Sequence, residues 1–132
     1  MIPAFADTSY FVAILNPRDA SHVVAKALST SEMRVITTEY ILIEAANFFS
    51  LAAARSSLRT MIDRVSVSPN FVVVPSSTDL FTRGYALFVA RPDKDWSLTD
   101  CISFVVMQDH GITDALTADH HFEQAGFRAL LK

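Results

Sequence analysis

The sequence predicts an α/β domain with a mostly parallel central sheet of four to five strands, flanked by helices on both faces. Short apolar runs alternate with stretches of helical periodicity, in the order β-α-α-β-α-α-β-α-α-β-α-β. This alternation is typical of parallel sheets whose strands are connected by helices. Hydrophobic residues make up 51% of the chain and glycines number only three, which favours a packed protein over a disordered one. At 132 residues the chain has the size of one domain, so residues 1–132 are predicted to form a single unit.

The element boundaries follow from apolar runs, helical spacing and turn residues. The predicted strands are Ile2–Ala6, Arg34–Thr38, Phe71–Val74, Ile112–Leu116 and Phe127–Leu131. The predicted helices cover residues 8–15, 21–28, 39–54, 56–65, 77–90 and 97–109, with a short helix after Asp119. The continuous apolar run Phe71–Val74 predicts a central strand buried on both faces.

Four acids follow or border these elements. Asp7 and Asp119 come after strands, Glu44 lies at the edge of an apolar helical stripe, and Asp100 opens the helix over 97–109. Each has a local structural interpretation. Asp7 can cap a helix, Asp100 stands at the capping distance from Ser97, and Glu44 can pair with an arginine.

Together the four acids favour a metal site. The carboxyl ends of parallel strands meet at one edge of a sheet, where ligands bind. Carboxylates that approach closely raise one another's pKa unless a cation lies between them. None of the four segments contains a Lys or Arg as a built-in partner. A site made only of carboxylate oxygens selects Mg²⁺ or Mn²⁺, and this is the predicted cofactor.

The histidines are interpreted as structural. His22 has no second ligand at a metal-binding spacing and is expected at the surface. His120 and His121 are adjacent on a helix and point about 100° apart, so they are not expected to bind one ion together. A packing or surface role is predicted for both.

Charge and cysteine content limit the class of protein. The formal charge of −3 gives no overall basic signature for nucleic-acid binding. Without the four acids the charge is +1, so the remaining surface is compatible with binding a polyanion. Arg55, Arg59 and Arg64 form either a solvated face or a phosphate-contacting patch. The single cysteine, Cys101, excludes an intramolecular disulfide. No signal peptide or membrane-spanning run is apparent, so a soluble cytoplasmic protein is expected.

Four segments carry a resemblance to the PIN-domain ribonucleases, of the kind found as VapC-type toxins in toxin–antitoxin pairs. They are FADTSY at 5–10, IE at 43–44, SLTDCIS at 97–103, and GI at 111–112 with LTADHHF at 116–122 and AGF at 125–127. The last two blocks are the most specific, and the resemblance extends along essentially the whole chain.

The resemblance implies a function. Asp7, Glu44, Asp100 and Asp119 would be the acidic quartet that binds one or two Mg²⁺ or Mn²⁺ ions, with Thr8 or Thr117 in support. Asp95 lies outside this set. The resemblance also implies RNA cleavage, a homodimer, and a cognate antitoxin that lies in the groove near the acids.

Alternatives remain open at this point. A receiver-type signalling domain also gathers acids at strand ends, but it needs an Asp after its central strand, and the strand predicted to be central ends Val73-Val74-Pro75. A catalytically silent RNA-binding module would keep the fold without the metal. An RNA-processing nuclease outside any toxin pair has no distinguishing feature in the sequence.

Overall fold

The structure is a computed structural model that describes residues 2–29 and 32–132. Its strands are β1 (Ile2–Ala6), β2 (Met33–Thr38), β3 (Phe71–Val74), β4 (Asp114–Leu116) and β5 (Arg128–Ala129). Its helices are α1 (Thr8–Leu15), α2 (His22–Ser29), α3 (Glu39–Phe48), α4 (Ala52–Val67), α5 (Thr78–Ala90), α6 (Leu98–Asp109) and α7 (His120–Gln124). The predicted fold class is confirmed, because the sheet has five strands and every pairing within it is parallel.

The sheet order is β3-β2-β1-β4-β5, with β1 in the centre. Ala6 pairs with Leu116, and the Asp7 backbone N–H donates to the Leu116 carbonyl at 3.3 Å. The chain therefore leaves β1 and β4 at the same edge of the sheet. The strand order reverses between β1 and β4, which is where open α/β sheets bind their ligands.

Aromatic packing holds the later helices against β1. Phe5, Phe104 and Phe122 are almost fully buried, and the rings of Phe104 and Phe122 meet edge to face at 5.0 Å. Residues 100–107 of α6 are all buried, as the apolar sequence of this helix predicts. Gly84 lets α5 lie close to α6, because a Cβ there would be 3.2 Å from the Ile102 Cα and closer still to its side chain. This core fixes α6, and with it Asp100, relative to the centre of the sheet.

Two predictions about the elements are wrong. β3 is an edge strand and only half-buried, although its continuous apolar sequence predicts a central position. The helix predicted over 39–54 ends at Phe48, and α4 begins at Ala52. No Gly or Pro marks this break. The Arg55 Nε donates to the Ser50 carbonyl at 2.7 Å and stabilises the turn, and Phe48, at the end of α3, is 63% exposed.

Within the two described ranges, no helix combines the length and the apolar character needed to cross a bilayer.

Candidate active site

The four predicted acids come from four elements and meet at the carboxyl edge of the sheet. Asp7 follows β1, Glu44 lies in α3, Asp100 in the first turn of α6, and Asp119 at the N-cap of α7. The negative charges of Asp100 and Glu44 both raise the pKa of Asp7, and that of Asp119 raises the pKa of Asp100. The structure therefore places the acids close enough to repel one another.

Asp7 is the most buried of the four, with 6% of its surface exposed. Burial raises the pKa of its carboxyl from 3.8 to about 6, and the charges of Asp100 and Glu44 add to this effect. Hydrogen bonds from the Thr117 side chain and the Thr8 backbone act in the opposite direction. The ionised form of Asp7 is therefore unfavourable without a cation nearby, and a bound metal ion would stabilise it.

Hydroxyl groups orient two of the acids, Asp7 and Glu44. The Thr117 Oγ1 donates to Asp7 Oδ2 at 2.9 Å, and the Thr8 hydroxyl donates to Glu44 Oε1. Both residues are the ones expected to support the quartet. Ser9 was not predicted, yet its Oγ lies 3.2 Å from Asp7 Oδ2 and 3.1 Å from Thr117 Oγ1. The hydroxyl after Thr8 in the sequence was the only signal that could have pointed to it.

Asp100 combines a capping role with a place in the site. Its Oδ2 accepts from the Ser97 backbone N–H at 3.1 Å, while the Ser97 Oγ accepts from the Asp100 N–H at 3.0 Å. The same Oδ2 lies 3.0 Å from the His121 Nδ1. Burial raises the pKa of Asp100, and the contacts with Ser97 and His121 lower it. The capping interpretation and the site interpretation are therefore both satisfied by one carboxylate.

Asp119 caps α7 and lies beside two imidazoles. Its Oδ1 accepts from the His121 backbone N–H at 2.9 Å, and its own N–H donates to Thr117 Oγ1 at 3.0 Å. The Nδ1 atoms of His120 and His121 lie 3.7 and 3.5 Å from Asp119 Oδ1.

One ligand atom from each of Asp119, His120 and His121 lies within 4.8 Å of the others, so the two rings lie closer together than expected, and the expectation that they do not bind one ion together stays a prediction. The 100° offset applies to the Cβ directions, whereas the rings tilt towards each other with centroids 4.5 Å apart. His121 also contacts Asp100, which agrees with the packing role rather than the surface role of the two that the sequence left open. The Nδ1 of His22, by contrast, lies 2.6 Å from the Ala13 backbone carbonyl.

No Lys or Arg pairs with any of the four acids in the described parts of the chain. The Lys and Arg ion pairs there are made with Asp63, Asp79, Asp93, Asp109, Asp114 and Glu123. The alternative interpretation of Glu44, a salt bridge to an arginine, therefore finds no support. The carboxylates are available to an external cation.

Each of three acids uses one oxygen for hydrogen bonds with the protein. The bonds fall on Oε1 of Glu44, Oδ2 of Asp100 and Oδ1 of Asp119. Their second oxygens accept no hydrogen bond from the described residues. A carboxylate held by one oxygen and open at the other is what a pre-organised metal ligand requires.

A polar cleft of about 200 Å³ opens beside Glu44 and the start of α6. It is lined by Tyr40, Ile43, Glu44, Asn47 and Thr99. A larger, mostly apolar groove of about 310 Å³ between α1 and α4 contains none of the four acids. Of these two cavities, the smaller cleft is therefore the one that borders the candidate site, at Glu44.

The sequence reason for rejecting a receiver domain does not hold, because the central strand is β1 and Asp7 follows it directly. Comparison with known proteins decides the matter instead. The PIN domain family matches residues 4–128.

Relatives match over nearly the whole length. In two strains of Mycobacterium tuberculosis, CDC 1551 / Oshkosh and ATCC 25618 / H37Rv, the "23S rRNA-specific endonuclease VapC20" is 31% identical over 126 residues, 93% of this chain and 94% of the relative. The crystal structure of M. tuberculosis VapC20, described as a "Sarcin-Ricin loop cleaving toxin", superimposes with a TM-score of 0.84 at 29% identity, covering 94% of this chain and 95% of that one.

FitAcB from Neisseria gonorrhoeae has a TM-score of 0.64 at 20% identity over 98% of this chain and 96% of its own, a likeness of fold alone. The family matches residues 4–128, and a relative is 31% identical over 93% of this chain. The chain therefore belongs to the PIN-domain family.

Proposed function

We propose that this protein is a metal-dependent endoribonuclease and the toxin of a toxin–antitoxin pair. One observation supports the proposal: near the switch point of the sheet, Asp7 is influenced by the charges of Asp100 and Glu44 and Asp100 by that of Asp119, and no Lys or Arg of the described residues pairs with these acids. The similarity to VapC20, whose name records cleavage of 23S rRNA, supports the reaction class. Cytoplasmic RNA is accordingly the proposed substrate.

The donor set fits Mg²⁺ or Mn²⁺. Asp7, Glu44, Asp100 and Asp119 supply only carboxylate oxygens, which hard divalent cations prefer. Asp7 would be the central ligand, because it is the most buried and has Asp100 and Glu44 as charged neighbours. Asp100 and Glu44 would complete or orient the site, and Asp119 would act by way of water.

A divalent ion bound there would supply positive charge to the phosphodiester transition state and lower the pKa of an attacking water. The chain's own contribution is to hold the ligands. Thr117 and Ser9 hold Asp7, and Thr8 holds Glu44, by the hydrogen bonds described above. No side-chain nucleophile is required.

The proposed partners are RNA, a second copy of the chain and an antitoxin. RNA would approach the acids through the cleft beside Glu44. An antitoxin segment would occupy the same region and would place an arginine among the acids, since no Lys or Arg pairs with them in the described residues. A nuclease acting outside any toxin pair would have the same site, and a small neighbouring gene for a DNA-binding protein would favour the toxin.

The test is cleavage of purified RNA. EDTA-treated protein is incubated with 23S rRNA and with total RNA, with and without Mg²⁺ or Mn²⁺, and the cleavage ends are sequenced. We expect cleavage only with metal, reduced on the order of 100-fold or more by Asp7→Asn or Asp100→Asn. Asp63→Asn, at an exposed residue on α4, is the matched control and should cleave as the wild type does.

Full activity of either site variant would contradict the mechanism. RNA binding without cleavage by the wild-type protein would favour the catalytically silent module. Calorimetric titration with Mn²⁺ separates these cases further, because only the metallonuclease predicts binding that is lost in Asp7→Asn.

A further inference from the structure

His121 links two of the acids that come from different elements. Its ring Nδ1 lies 3.0 Å from Asp100 Oδ2, on α6, and its backbone N–H donates to Asp119 Oδ1 at 2.9 Å, at the start of α7. Because an ionised carboxylate only accepts hydrogen bonds, the ring contact places a proton on Nδ1. The side chain is 19% exposed, so this contact is largely shielded from water.

The two acids repel each other, since the charge of Asp119 acts on Asp100. They receive no Lys or Arg contact in the described ranges. Asp119 Oδ1 also lies 3.5 Å from the His121 Nδ1. One histidine therefore approaches both carboxylates and offsets part of their repulsion.

The hydrogen bonds also select which oxygens remain open. Ser97 and His121 both donate to Oδ2 of Asp100, and the His121 N–H donates to Oδ1 of Asp119. Oδ1 of Asp100 and Oδ2 of Asp119 are left for a ligand. Partners of this kind, which orient metal ligands without touching the metal, typically contribute roughly 10- to 100-fold in metal affinity or activity.

We propose that His121 is a positioning residue that holds Asp100 and Asp119 in one arrangement, with the open oxygen of each available to the metal; the inference rests on the function proposed above. His121 itself does not contact the metal or the RNA in this role. It acts through the two acids.

The experiment compares three variants with the wild type. His121→Ala removes the ring donor, and His121→Asn restores an N–H donor near the position of Nδ1. His110→Asn is the matched control, because His110 is exposed at the far end of α6, where its Nδ1 lies 3.0 Å from the Val106 carbonyl and, among the described residues, it forms no hydrogen bond with the four acids. Mn²⁺ affinity is measured by calorimetry without RNA, kcat and KM are measured with RNA, and circular dichroism checks that each variant folds.

We expect His121→Ala to weaken Mn²⁺ binding and lower kcat roughly 10- to 100-fold, with a smaller change in KM. His121→Asn should recover most of both losses, and His110→Asn should equal the wild type. Wild-type Mn²⁺ affinity and kcat in folded His121→Ala would overturn the inference and leave the proposed function intact, as would an Asn variant no better than Ala. If the wild-type protein neither binds Mn²⁺ nor cleaves RNA, the proposed function fails and the inference with it.

Discussion

Asp7 shows how one side chain can serve the site at the expense of the fold. It is buried at the end of the central strand, next to two other carboxylates. A buried carboxylate without a cation is costly in its ionised form. The protein tolerates this because Thr117, Ser9 and the Thr8 backbone donate to it.

The sign of the pH dependence follows from the pKa of Asp7. The folded-state pKa is about 6 and the ordinary value is 3.8, so the folded protein binds the proton more tightly than the unfolded chain. Metal-free protein should therefore lose stability as the pH rises from about 4 to about 6. The full loss, ~3 kcal/mol, is present at pH 7. Asp100 shifts in the same direction and adds to it.

Asp7→Asn should remove this dependence, because the amide oxygen still accepts from Thr117 but does not ionise. We expect the variant to be more stable than wild type at pH 7 by up to ~3 kcal/mol, with no gain at pH 3, in urea denaturation with EDTA. Asp63→Asn should leave the profile unchanged. A stability difference that is the same at both pH values would contradict the account.

Asp7, Asp100 and Asp119 stand at boundaries of elements, which is the signal that singles them out in the sequence, whereas Glu44 lies inside α3 beside its apolar stripe. The roles of Ser9 and His121 could not be predicted in this way. Ser9 meets Thr117 across 108 positions, and His121 meets Asp100 across 21. Such contacts depend on strand order and on side-chain rotamers, and neither can be predicted from the local periodicity of the sequence.

At the level of elements, the first turn of α6 contributes both to the stability of the helix and to the position of Asp100 in the candidate site. Its capping box fixes Asp100 through the Ser97 side chain and backbone. The N-cap of α5 offers a comparison, because the Ser77 Oγ accepts from the Leu80 N–H at 3.1 Å and, among the described residues, Ser77 forms no hydrogen bond with the four acids.

Ser97→Ala and Ser77→Ala should each lower the free energy of unfolding by about 1 kcal/mol, the usual cost of losing an N-cap. Only Ser97→Ala should also lower kcat for RNA cleavage, because only this cap orients a proposed metal ligand. Urea denaturation and initial rates on the same preparations check the prediction. Equal loss of activity in both variants would mean that stability alone is responsible.

The errors in the elements have physical causes. β3 has the apolar sequence of a buried strand, but a strand's place in the sheet is set by its pairing with β2 and not by its composition. The break between α3 and α4 contains Phe49, Ser50 and Leu51, none of which is a strong helix breaker. The local hydrogen bond from the Arg55 Nε to the Ser50 carbonyl stabilises the turn there, and residue propensities alone do not indicate it.

At the level of the whole molecule, α5 presents an aromatic face to solvent. Phe81, Tyr85 and Phe88 are 50%, 52% and 44% exposed, and their rings stack in sequence at 6.3 and 6.5 Å. The high hydrophobic content of the sequence predicts surface left for a partner, and this aromatic face is one exposed apolar surface of that kind. It is the proposed surface for the homodimer.

Light scattering after gel filtration should give a dimer for the wild type. Phe81→Glu with Phe88→Glu should give a folded monomer, because charges on both copies would be buried against each other. Val23→Glu, at an exposed apolar residue on α2, is the matched control and should remain dimeric. A monomeric wild type, or a double variant that stays dimeric, would contradict this assignment.

The pairing of β1 with β4 has a consequence for protein synthesis. Asp7 and Thr117, which hydrogen bond in the finished site, are 110 positions apart in the chain. A ribosome makes Asp7 and Glu44 early, adds Asp100 after β3, and adds Thr117 and Asp119 only after β4. A nascent chain that ends before β4 therefore lacks Asp119 and the hydroxyl group that donates to Asp7, and the proposed nuclease site is completed only when translation is nearly finished.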